Sequence, residues 1–142
     1  MGSPPFFFKW ASRLLPWFFP MSFLILMTGL TWGIGFAPSD YKQGDVYRII
    51  YVHVPSATLG QSIYLMMAIF GSICLIWRAK LAGMFIRSAA PLGASFTLIA
   101  LISGAVWGKP TWGTWWVWDA RLTSTLILFF LYAGIIGLYS SI

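Results

Sequence analysis

Few side chains in this sequence can do chemistry, and most of them fall in two short stretches. His53 is the sole histidine, and five of the nine tryptophans, Trp107, Trp112, Trp115, Trp116 and Trp118, lie within twelve residues and lead into Asp119. Arg48, Lys109 and Arg121 flank these stretches. A neutral imidazole is a preferred metal ligand, indole rings stack on large planar molecules, and cations pair with carboxylates. If residues 112–119 form a short surface helix, Trp112, Trp115, Trp116 and Asp119 share one side by their i, i+3, i+4, i+7 spacing, a flat aromatic shelf ending in a carboxylate. Each residue also has an ordinary role. Tryptophan anchors helices at membrane interfaces, a lone interfacial histidine is most often a hydrogen-bonded structural residue, and Asp119 suits the N-cap of a following helix, a duty compatible with ligand binding.

The elements that must position these groups follow from composition. With 59% hydrophobic and 8% charged residues, the chain has too few charges for a water-facing surface, which in a soluble domain is built from a sequence about one quarter charged. Residues 14–39, 88–108 and 122–142 carry no ionisable side chain that could oppose burial in lipid except tyrosine, and 49–77 adds only His53. Each run is long enough for a helix to cross hydrocarbon, and too continuous for the alternating strands of a barrel. The expected fold is an all-α membrane protein of one domain, residues 1–142: a four-helix transmembrane bundle with spans at about 17–37, 55–77, 90–106 and 123–140. A Trp-rich outer interfacial loop or short helix occupies 107–122. Pro55 suits the first position of the second span, and Gly29, Gly33, Gly134 and Gly137 are small residues of the kind that let helices approach closely. The first span lacks a small-residue cleavage site and is expected to stay as an anchor. The last run stops at Ile142, at the edge of span four, so the chain is expected to behave as an incomplete module.

Charge orients the bundle. Lys9 and Arg13 precede the first span, and Arg78, Lys80 and Arg87 fill the second loop without an acid, which assigns both stretches to the cytoplasm. Asp40, Lys42, Asp45 and Arg48 cancel in the first loop, and Lys109, Asp119 and Arg121 leave the third at +1, so both face outward. Because five of the nine basic residues lie in the cytoplasmic stretches, the net charge of +6 is a topology signal and not a nucleic-acid footprint. There is no phosphate loop for ATP hydrolysis, no charged relay within the apolar runs, and only Cys74 for thiol chemistry. What remains is His53, the Trp shelf and three cations on one side. That set suits haem, with imidazole for iron, indoles for the macrocycle, and Arg48, Lys109 and Arg121 for the propionates.

The run Trp112-Gly113-Thr114-Trp115-Trp116-Val117-Trp118-Asp119 resembles the "WWD" motif of the haem-handling family of cytochrome c assembly. Its continuation Ala120-Arg121-Leu122-Thr123-Ser124, the preceding Trp107-Gly108-Lys109-Pro110, and Tyr47-Arg48-Ile49-Ile50-Tyr51-Val52-His53-Val54-Pro55 are most similar to the haem exporter protein C branch. The resemblance implies a non-enzymatic protein of the bacterial or mitochondrial inner membrane, amino terminus cytoplasmic, that binds haem b as transient cargo. It implies transfer to a periplasmic haem chaperone, with ABC transporter subunits and a small membrane subunit as further partners. His53 matches the upstream iron ligand, and Trp112, Trp115, Trp116, Trp118 and Asp119 match the motif. The downstream ligand has no counterpart, since family members continue for two further spans and a second outer loop. One imidazole per chain then leaves the second axial site to water, a methionine, a partner or a symmetry mate. Two other readings are an apocytochrome c–haem lyase subunit, which Ala120 and Arg121 after the motif disfavour, and a permease subunit whose Trp loop is an anchor.

The topology is testable directly. In a Cys74→Ser background, an impermeant thiol reagent applied to spheroplasts is expected to label Lys42→Cys and Thr114→Cys and to spare Gly83→Cys. Labelling at position 83 alone would reverse the orientation.

Overall fold

The computed structural model describes residues 4–141, and these fold entirely around helices. Helix α1 (Pro4–Leu30) continues into a π-helical segment, Thr31–Phe36; after a turn, a 3-10 segment, Asp45–Ile49, runs straight into α2 (Ile50–Trp77). Helices α3 (Lys80–Trp112) and α4 (Ala120–Ser140) complete the chain. Among the described residues, four helical stretches are long and apolar enough to cross a membrane. The all-α membrane architecture read from the uncharged runs is the one observed.

The helices outrun the apolar spans. Helix α3 carries Arg87 and Lys109 within its ends, because hydrophobicity marks where lipid begins, whereas a helix ends only where its hydrogen bonds stop. Pro55 lies inside α2 and not at its first position, since the 3-10 segment already sets the helical path upstream. Proline there, at the sixth residue of α2, removes the N–H that would otherwise donate back to the Tyr51 carbonyl.

Helices α2 and α3 form an antiparallel hairpin joined by Arg78 and Ala79, with Arg78 in the left-handed conformation that stops α2 (φ 51°). Between lipid-exposed helices there is no hydrophobic drive, so close packing and interhelical hydrogen bonds must hold the pair. The seam accordingly uses small residues. Ala82, Ala89, Ala90 and Ala100 of α3 are buried, and Gly60 of α2 sits so close to Thr97 that an added Cβ would lie 2.7 Å from its Oγ1.

Helix α4 is keyed to this hairpin by Tyr132, which has no exposed surface. Its hydroxyl donates to the Gly60 carbonyl at 2.7 Å, reaching α2, and its ring meets Tyr64 edge-on at 5.4 Å. The space for that ring exists because residue 93 of α3 is glycine: a Cβ there would fall 2.2 Å from the Tyr132 ring. One side chain therefore joins three helices.

Helix α1 stands apart from this core. It contributes no buried residue, and its attachment lies past its carboxyl end, in the π-helical segment, where Gly33 receives the Tyr51 ring (a Cβ would lie 2.6 Å from Cγ). Arg48 ties the same end by donating to the carbonyls of Ala37 (3.0 Å) and Ile34 (3.3 Å). Of the glycines read as approach points, Gly33 is used, while Gly29, Gly134 and Gly137 face open space among the described residues.

The Tyr132 joint can be tested by two substitutions. Gly93→Ala forces a methyl into the ring and is expected to destabilise by about 1–3 kcal/mol, as overpacking does. Tyr132→Phe keeps the packing and loses one interhelical hydrogen bond, worth about 0.6 kcal/mol in a membrane protein. Thermal unfolding in detergent should rank Gly93→Ala well below Tyr132→Phe. Wild-type stability for Gly93→Ala would mean that the ring is not seated there.

Candidate functional site

His53 lies in the first turn of α2, on the side that meets α3. Its Nδ1 is 3.0 Å from the Ser103 Oγ, and its ring meets the Trp107 indole edge-on with centroids 5.7 Å apart. The backbones can come this close only because residue 104 is glycine, where a Cβ would sit 2.9 Å from the imidazole Cε1. The indole N–H of Trp107 donates in turn to the Gln43 Oε1 at 2.7 Å, which binds the turn after α1 to the same spot.

These groups border a cavity of about 240 Å³ between α2, α3 and α4. Ala57, Ala100, Leu101 and Leu122 supply apolar wall, and His53, Gln43, Trp112 and Arg121 supply the groups that can direct a ligand. Apolar walls with a few convergent polar groups are the usual form of a small-molecule site. The volume is below the usual 300–1,000 Å³ of an enclosing pocket, so a large ligand would enter in part and remain open to outside handling.

The Trp-rich segment does not form the separate surface helix that its spacing allowed. Helix α3 instead runs on through Trp112 and stops at Gly113, whose φ of 80° is left-handed and whose N–H returns to the Lys109 carbonyl at 3.0 Å. Residues 113–119 are consequently irregular, and the i, i+3, i+4, i+7 shelf is not built. Trp112 alone of the motif indoles lines the cavity, with the Arg121 guanidinium 5.5 Å from its ring centroid. Trp115 is more than half exposed beneath the Lys109 ammonium at 6.0 Å. Trp116 and Trp118 meet edge to face at 5.4 Å, with Trp118 77% exposed and the Trp116 indole N–H buried without a partner among the described residues.

Asp119 caps α4, accepting from the Leu122 N–H at 2.8 Å, and pairs with Arg121 at 2.9 Å. The backbone hydrogen bond first, and then the guanidinium, hold its carboxyl below the usual carboxylate range. The cap fixes where α4 begins, and so places Arg121 and Leu122 at the cavity edge.

Of the residues singled out in the sequence, the structure brings His53, Trp107, Trp112 and Arg121 to one cavity. Trp115, Trp116, Trp118, Asp119 and Lys109 sit on the adjoining segment without lining it, and Lys109 donates to the Gly113 carbonyl at 3.1 Å. Arg48 lies elsewhere. It borders a different cavity with Ile34 and Pro110, and its guanidinium is engaged by two carbonyls and by Asp45 at 3.3 Å. Ser103, Gly104 and Gln43 are additions to the site. Ser103 and Trp107, four apart on α3, share a helix face, but no spacing links them to a histidine fifty residues upstream.

Residues 1–142 match the family model described as "Heme exporter protein C". Among curated relatives carrying that name, the protein of Escherichia coli is 52% identical over 139 residues, covering 98% of this chain and 57% of its own. The Haemophilus influenzae protein is 49% identical over 134 residues, 94% of this chain and 54% of that protein. The Rhodobacter capsulatus protein is 47% identical over 141 residues, 99% of this chain and 58% of that protein. This chain thus spans little more than half the length of the relatives it matches. With the family model matched from end to end and identity near one half over almost every residue, the chain belongs to the heme exporter protein C family.

Proposed function

We propose that this chain binds haem at the outer face of a bacterial inner membrane, or of its mitochondrial counterpart, and presents it for cytochrome c assembly. The observation that carries the reading is one cavity on which an imidazole, an indole and a guanidinium converge: His53, Trp112 and Arg121. Imidazole is a standard haem-iron ligand, an indole face stacks on the macrocycle, and arginine pairs with a propionate. The haem of this reading is b-type, held without a covalent bond: Cys74, the chain's one thiol, lies at the opposite end of α2 from His53. It is cargo, not a resident group, and the partly open cavity agrees with a ligand that must leave.

The exposed segment from Gly113 to Asp119 then has a separate duty. Its indoles and Lys109 extend the apolar, cationic surface beyond the cavity, where a periplasmic haem chaperone would receive the ligand. ABC transporter subunits and a small membrane subunit are the further partners of this reading, and the amino terminus is cytoplasmic. Arg48 is assigned to holding α1 and not to a propionate, because its guanidinium already has three oxygen partners. Holding and transfer make and break coordination and stacking only, so the role is not an enzymatic one.

At equal protein level, a pyridine-haemochrome assay should find that His53→Ala loses most of the haem retained by wild type. The loss should exceed the roughly 10- to 100-fold effects typical of groups that merely support a metal ligand. Trp112→Phe keeps part of the stacking and should lose less, and Arg48→Gln less still. Equal haem in His53→Ala and wild type would move the iron to another residue. No haem in any variant or in wild type would return the Trp segment to an anchoring role.

A further inference from the structure

Resting on the haem reading above, we infer that Ser103 is the positioning residue for His53: it fixes the imidazole tautomer that leaves Nε2 as the ligating nitrogen. The Ser103 hydroxyl has one proton to give. It lies 2.6 Å from the Ile99 carbonyl, with the Ala100 carbonyl at 3.3 Å, and a carbonyl can only accept. With its proton engaged by the backbone, the Ser103 oxygen can meet His53 Nδ1 at 3.0 Å only as an acceptor. Nδ1 therefore carries the hydrogen, and Nε2 keeps the lone pair.

The rest of the contact surface holds the ring in that state. Trp107 packs against the ring edge-on, and the bare Cα of Gly104 leaves room for Cε1, so the ring cannot rotate without displacing an indole or leaving the glycine notch. The Ala100 backbone carbonyl is a further acceptor beside the imidazole, and no side chain among the described residues bonds Nε2, on a ring that lines the cavity. Unconstrained histidine favours the opposite tautomer, with the proton on Nε2, which would put the lone pair against Ser103 and away from a ligand. An N–H···O bond behind a ligating imidazole also raises its basicity toward iron. A serine in a membrane helix is ordinarily bonded only to its own backbone; here that bond is what turns the hydroxyl into an acceptor.

Because His53 is the sole histidine, uniform 15N-histidine labelling gives the spectrum of one ring. The experiment uses the full chain, free of haem, in lipid nanodiscs at about pH 8.5, well above the ordinary imidazole pKa of about 6.5. The 15N shifts of wild type and of Ser103→Thr, which keeps the acceptor, should show a pyrrole-type Nδ1 and a pyridine-type Nε2. Ser103→Ala should move toward the Nε2–H form while retaining the helical circular dichroism of wild type. A second arm titrates haem, and Ser103→Ala should bind about 10- to 100-fold more weakly, with Ser103→Thr restored. A wild-type ring protonated at Nε2 overturns the inference, as does a Ser103→Ala ring of unchanged tautomer or unchanged haem affinity. If Ser103→Ala does not fold, the wild-type and Ser103→Thr shifts still decide the tautomer. The two levels separate cleanly: absence of haem binding by wild type rejects the haem reading, undiminished binding by His53→Ala moves the iron to another residue, and the tautomer is read without haem.

Discussion

The site depends on how closely α2 and α3 approach. A histidine ring can lie against the opposing backbone only where that backbone has no side chain, and Gly104 provides the notch for His53 as Gly60 does for Thr97. In lipid such contacts are the main source of helix association, so the feature that shapes the site also holds the hairpin together. A larger residue at position 104 would press on the imidazole and separate the helices at the point where Ser103 and Trp107 must reach it. Packing and ligand chemistry share one constraint.

The third wall comes from α4, and two devices in the connection from α3 place it. Gly113 ends α3 in a left-handed turn, and Asp119 starts α4 through its cap, so the seven-residue connection from 113 to 119 is bounded at both ends by backbone hydrogen bonds. Tyr132 then fixes the helix deeper in the bundle by bonding across to Gly60. Between these points Arg121 is held near Trp112 without being buried. An exposed guanidinium over an indole can still turn to meet an incoming carboxylate, which a desolvated ion pair could not do cheaply.

Much of this was legible in the sequence, for identifiable reasons. Four uncharged runs gave four helices because lipid forbids unpaired backbone, while His53 stood out as the sole histidine, Trp112 through the clustering of tryptophans, and Arg121 as one of few charges. The Trp spacing misled, since a periodicity argument assumes a helix start at Trp112, whereas that residue is the last turn of α3 and Gly113 imposes the stop. Arg48 shows the limit of charge counting. Proximity in a loop does not distinguish a free cation from one already bonded to the carbonyls at the end of α1. Ser103 was invisible for a different reason: its role arises from a contact between residues fifty apart, and serine in an apolar helix carries no signal of its own.

The central claim is that haem iron is held by the imidazole of His53. Pulse electron paramagnetic resonance on ferric haem loaded into the 15N-histidine-labelled chain tests it with one labelled ring per molecule. The account predicts a directly coordinated 15N coupling, distinct from the unlabelled pyrrole nitrogens and lost in His53→Ala. A stoichiometric haem complex of the wild-type chain with no 15N coupling to the iron would contradict it.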